Sequence, residues 1–189
     1  MTETTHYDAI VIGSGISGGW AAKELCEKGM KTLVLERGRD VEHIKDYPTM
    51  MKRPWDFELR GSNTREWNEE NPFISQAAGY DETTRHFFVK DSDHPYIQEK
   101  PFAWIRGYQV GGKSLIWGRA AARWAPTDFT APERLGYGIA WPIGYDDIAP
   151  WYSHVEKFVG ICGTREGIET MPDGEFLPAY ELNGVEQHP

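Results

Sequence analysis

The residues with the most chemical information stand close to the N-terminus. Gly13-Ser14-Gly15-Ile16-Ser17-Gly18 spells G-x-G-x-x-G. In such a turn the first glycine permits the tight bend and the second lets backbone approach a pyrophosphate. The third brings helix and strand together, and the helix start supplies amide donors with a partial positive charge. Glu36 follows 18 residues after Gly18. A carboxylate there can accept from ribose hydroxyls and would repel a 2′-phosphate, which disfavours NADP. By itself the fingerprint does not separate FAD from NAD.

Other reactive residue types form no comparable pattern. Cys26 and Cys162 are far apart and fit neither C-x-x-C nor a metal-ligand spacing. The six histidines, His6, His43, His86, His94, His154 and His188, are read as surface or capping residues. His86 with His94, and His154 with Glu156, lack the spacing that puts two ligands on one helix face, so no metal site is expected. No catalytic residue is assigned within the chain.

The elements that must position the fingerprint can be read around it. Residues 7–12 form a short apolar, β-branched run suited to a buried parallel strand. A helix is expected from the glycine turn to about Lys28, with Ile16, Ala21, Ala22 and Leu25 sharing a buried face and Gly29 ending it. Residues 31–36 give a second buried strand. Strand, turn, helix and strand within 1–40 make a βαβ unit, so the fold class is α/β, Rossmann-like and incomplete. Residues 41–101 then form a long irregular excursion rich in aromatic and charged side chains, expected to act as a lid or an interface. Order returns at a glycine-punctuated stretch within 102–163. An amphipathic helix follows over 146–160, with Ile148, Trp151, Val155, Phe158 and Val159 on or near one face and Pro150 in its first turn. Residues 164–189 are polar and begin a further region.

Composition removes several classes of function. The chain has 189 residues, 40% of them hydrophobic, with a formal net charge of −9. That balance lacks the basic footprint a nucleic-acid partner needs, and no basic cluster suggests an anionic membrane surface. No signal peptide or membrane span is legible, so a cytoplasmic location is expected, or a periplasmic one if a leader has been removed.

A second motif carries a resemblance. Residues 106–119, Arg-Gly-Tyr-Gln-Val-Gly-Gly-Lys-Ser-Leu-Ile-Trp-Gly-Arg, resemble the second FAD-contacting motif of the glucose-methanol-choline (GMC) oxidoreductases. The run Trp-Pro-Ile-Gly-Tyr-Asp-Asp-Ile-Ala-Pro-Trp-Tyr at 141–152 is also family-like. The resemblance implies FAD as cofactor, the FAD-binding fold shared with p-hydroxybenzoate hydroxylase, and hydride transfer from a substrate hydroxyl to flavin N5. It implies cofactor contacts from Gly13, Gly15, Ile16, Ser17, Gly18, Glu36, Arg37, Arg106, Gly111, Gly112, Lys113, Ser114, Trp117 and Gly118. Gly111 and Gly112 are expected to leave amides uncovered against a planar ring, where fixed dipoles stabilise charge on the reduced flavin.

Two departures refine the resemblance. Trp117 stands where many members have asparagine, and Ile116 stands where the pyranose-oxidase branch has a histidine bonded to the flavin. Isoleucine cannot form that bond, so FAD is expected to be held non-covalently. The Trp117 form and the long excursion look most like bacterial glucoside 3-dehydrogenases, which implies a sugar or glycoside substrate oxidised at C3. The family's catalytic histidine lies near the C-terminus of a much longer chain, so the remainder of the enzyme or a partner chain is expected to supply it. A homo-oligomer and an electron-acceptor subunit stay open as partners. So do two rival readings, a nicotinamide-dependent dehydrogenase and a cofactor-binding fragment without catalytic residues of its own.

Overall fold

A computed structural model describes residues 5–187; His188 lies outside them. The chain is mixed α/β and divides into two compact units, 1–118 and 119–189.

The first unit opens with strand β1 (Ala9–Ile12), helix α1 (Ile16–Glu27) and strand β2 (Thr32–Leu35). β1 and β2 pair in parallel with Ala9 opposite Thr32 and Ile12 opposite Leu35, and the Gly13 amide extends the ladder to Leu35 O at 2.7 Å. α1 ends in a Schellman arrangement: Met30 N donates to Leu25 O and Gly29 N to Cys26 O, with Gly29 at φ +82°.

The expected burial of these elements is only partly realised. Val11 is buried under α1, but Ile12 is 84% exposed and α1 buries no residue, with Ile16 and Ala21 on the outside. The sheet has only two strands, so α1 covers one face and no layer covers the other among the described residues.

The irregular segment is better built than its composition suggests. It holds helix α2 (Arg65–Glu70) and three 3₁₀ turns, Pro54–Asp56, Ile74–Gln76 and Arg85–Phe87. Among the described residues, five of the eight buried apolar side chains belong to it: Phe57, Ile74, Tyr80, Phe87 and Val89. Polar side chains replace a ladder. Thr64 caps α2 by accepting from Trp67 N, and the Asp91 carboxylate accepts from the amides of Phe73 and Ile74. His86 sits partly inside this core with Nε2 buried, which corrects its assignment to the surface. Burial, followed by the Arg39 and Arg85 charges, pushes its pKa below the usual range.

Residues 106–110 return beside the end of β2. Arg39 N donates to Tyr108 O and Val110 N to Arg39 O, a parallel bridge centred on Arg39 and Gln109. The approach is close enough that a Cβ on Gly38 would lie 2.2 Å from Gln109 N. That contact delivers the second glycine motif to the first.

In the second unit, helix α3 (Pro126–Arg134) buries Phe129, and helix α4 (Tyr145–Val159) ends at Gly160, φ +79°. A two-residue parallel pair follows, β3 (Cys162–Gly163) with β4 (Leu177–Pro178), and then helix α5 (Gly184–Gln187). α4 corrects two expectations. Pro150 is its sixth residue, one turn deeper than predicted. The apolar stripe is also only partly covered: Ile148 and Val155 are half-buried, but Trp151 is 60% and Phe158 62% exposed, while Glu156 is buried. The inward side is set by Arg123, whose Nε and Nη2 donate to Glu156 at 2.8 and 2.7 Å and whose other donors meet Tyr145 and Ser153. That pairing holds the Glu156 carboxyl below its usual range. Among the described residues no helix is long and apolar enough to cross a membrane.

Candidate cofactor site

Gly13 has φ +92°, which explains glycine at the bend, and a Cβ on Gly18 would lie 1.9 Å from Gly13 O. These two positions let the chain turn from β1 into α1 with helix against strand. Gly15 is the N-cap of α1, and no side chain caps it. The first helical amides therefore point at open space with the positive end of the helix dipole behind them.

A groove of about 480 Å³ begins at this helix start. One wall is Ile12, Gly13, Gly15, Ile16, Ser17 and Gly18; the other is Lys113, Ser114 and Trp117. Lys113 and Ser114 belong to a 3₁₀ turn, Gly112–Leu115, entered through Gly111 at φ +85° and Gly112 at φ +55°, and Trp117 follows just after it. The two walls nearly touch at their base, where a Cβ on Gly112 would lie 3.4 Å from the Gly15 Cα.

Ser14 joins them. Its hydroxyl donates to Glu36 Oε2 at 2.6 Å and accepts from Gly111 N at 3.0 Å, while its amide donates to the same carboxylate oxygen at 2.8 Å. Gly38 N donates to Glu36 Oε1 at 2.8 Å. These bonds, led by the Ser14 hydroxyl, pull the Glu36 pKa down to about 2. The Arg37 amide is a further donor to this carboxylate, so its roughly four acceptor positions are engaged within the turn, and Glu36 does not line the groove. Glu36 thus organises the turn before it meets any ligand. The fingerprint itself gives no hint of Ser14, because its second position tolerates any residue; Gly38, packed under Gln109, lies outside the pattern altogether.

Other predicted contacts fall elsewhere. Arg106 is 5% exposed and tied to His94 O at 2.7 Å, the Tyr108 hydroxyl at 3.4 Å and Asp91 at 3.9 Å; it does not line the groove but a neighbouring cavity that shares Lys113 with it. Arg37 stacks over the Tyr108 ring at 3.9 Å, and neither it nor Gly118 lines the groove. The amides of Gly111 and Gly112 are not uncovered. The first donates to Ser14 and the second to Gln109 O at 2.8 Å, because the tight turn needs both bonds to close.

The donors and apolar surface of the groove are of the kinds a dinucleotide needs. Unpaired helix-start amides and the exposed Lys113 ammonium suit a pyrophosphate. Ile16 and the half-exposed Trp117 give apolar surface for a planar ring.

Comparison with known proteins points to oxidation chemistry. No family model matches the chain. It is 28% identical to paromamine 6'-oxidase of Streptomyces fradiae over 85% of the chain and 24% of that protein. It is 28% identical to the fructose dehydrogenase large subunit of Gluconobacter japonicus over 90% of the chain and 30% of the relative. The gluconate 2-dehydrogenase flavoprotein of Pantoea cypripedii is 26% identical over 86% of the chain and 26% of its own length. The chain therefore spans about a quarter to three-tenths of the length of these relatives, all of them oxidases or dehydrogenases by name.

Proposed function

We propose that this chain holds the FAD of a GMC-type oxidoreductase that oxidises a secondary hydroxyl of a sugar or glycoside, at C3. The observation that carries the reading is the convergence of residues 13–18 and 111–117, almost a hundred residues apart in sequence, on one groove at an uncapped helix start. In this reading the βαβ unit is part of a Rossmann-like FAD-binding sheet. The relatives support the class of chemistry through their names, and one of those names is that of a flavoprotein.

Each residue of the groove then has a physical task. The amides at the start of α1 hold the pyrophosphate, and Gly15 keeps the approach clear of side chains. Lys113 adds positive charge at the rim. Glu36 fixes Ser14, and its carboxylate accepts from a ribose hydroxyl in exchange for one of its amide donors. Ile16 and Trp117 exclude water from the ring. Ile116 has no atom able to bond to the flavin, so the cofactor is held non-covalently. FAD, when bound, supplies the hydride acceptor. The base that takes the hydroxyl proton is contributed by the remainder of the enzyme or by a partner chain.

The test is the visible spectrum of the complete flavoenzyme, this chain together with the part or partner that carries the base, before and after anaerobic addition of a β-glucoside. Bleaching of the flavin bands is the expected result. Bands that persist with every glycoside tried would remove the substrate assignment.

A further inference from the structure

A second cavity, about 320 Å³ in volume, lies within the 41–101 segment and shares no lining residue with the groove at α1. Its walls include Trp67 and Glu70 from α2, Tyr80, Arg85 and His86 from the turn Arg85–Phe87, and Lys90. Two polar atoms there are buried without a hydrogen-bond partner among the described residues: Arg85 Nη1 and His86 Nε2. They belong to successive residues of one turn, whose shape is set by bonds from Phe87 N to Thr84 O and from Phe88 N to Arg85 O. The Arg85 guanidinium lies over the Trp67 ring, which holds it at the cavity wall.

Charge narrows the occupant. Arg85 and Lys90 face a single carboxylate, Glu70, so the cavity carries one excess positive charge on a chain whose net charge is −9. A buried N–H without a partner carries an uncompensated desolvation cost, which an occupant with oxygen acceptors would recover. A neutral hydroxyl would satisfy the donor and leave the charge unmatched. A phosphate would bring more than one negative charge at neutral pH. A carboxylate matches on both counts, with two coplanar oxygens for the guanidinium edge and one charge. The geometry points to a binding site for a small monocarboxylic acid, gripped by Arg85, with Lys90 supplying charge and His86 Nε2 a further hydrogen bond.

Acetate titrated into the isotope-labelled protein, at ionic strength held constant with chloride, tests the site through the side-chain resonances of His86 and Arg85. The expected result is a saturable shift at millimolar acetate. Affinity should fall roughly tenfold or more in Arg85→Gln and less in Lys90→Gln, with unchanged far-ultraviolet circular dichroism. Should Arg85→Gln fail to fold, Arg85→Lys keeps the charge without the planar edge and is expected to bind acetate more weakly than the parent. No saturable shift, an equal shift in the folded Arg85 variants, or saturation by inorganic phosphate but not by acetate would overturn the assignment.

Discussion

The Ser14 hydroxyl donates to the Glu36 carboxylate at 2.6 Å while accepting the Gly111 amide, so one side chain holds the first glycine turn, the end of β2 and the second glycine turn together. Ser14→Ala leaves Gly111 N–H without its acceptor and Glu36 with one donor fewer. The loss expected is about 1–3 kcal/mol of stability, read from urea denaturation, together with weaker FAD retention. An unchanged denaturation midpoint would show that the two turns are held apart from Ser14.

Glu36 gives the fold an acid-sensitive contact. Its pKa is lowered in the folded state from 4.5 to about 2, so its contribution to stability is fully present above the unfolded value. It is lost as pH falls from about 4.5 through 2. Glu36→Gln is expected to be less stable at neutral pH and to have a flatter denaturation profile across that window. Parallel profiles for the two proteins would contradict the assignment.

The glycines of the fingerprint separate folding from binding. A Cβ on Gly18 meets Gly13 O at 1.9 Å, so Gly18→Ala should cost about 1–3 kcal/mol or more. A Cβ on Gly15 meets nothing within 4 Å and φ there is −63°, so Gly15→Ala should change stability by less than about 0.5 kcal/mol. That methyl would instead enter the groove and weaken FAD binding by roughly tenfold, about 1.4 kcal/mol. Thermal melts and flavin titrations of the two variants check both halves.

The fingerprint, both strands, α1 and α4 were legible because local spacing determines them. What the sequence hides is tertiary. Arg106 looks like a cofactor contact beside the second glycine motif, yet it is drawn into the core by His94 O and Asp91, residues of the excursion. The apolar stripe of α4 reads as its inner face, but the guanidinium of Arg123 turns Glu156 inward instead. Neither partner is marked by periodicity, because each comes from a segment more than ten residues distant.

The Arg123–Glu156 pair is buried on both sides, and Glu175 N adds a third donor to the carboxylate at 2.7 Å. Arg123→Leu strands a buried charge and is expected to cost about 3–5 kcal/mol, whereas Arg123→Leu with Glu156→Leu should recover much of that loss. A double variant no more stable than the single one would show that the pair itself is not what stabilises this unit.

The most direct test of the central claim is whether the groove holds FAD. The protein is incubated with FAD, passed through gel filtration and examined by visible absorption beside Gly15→Ala and in the presence of excess NAD. Flavin bands that co-elute with the parent, diminish in Gly15→Ala and survive excess NAD are the predicted result. A folded parent protein that elutes colourless would contradict it.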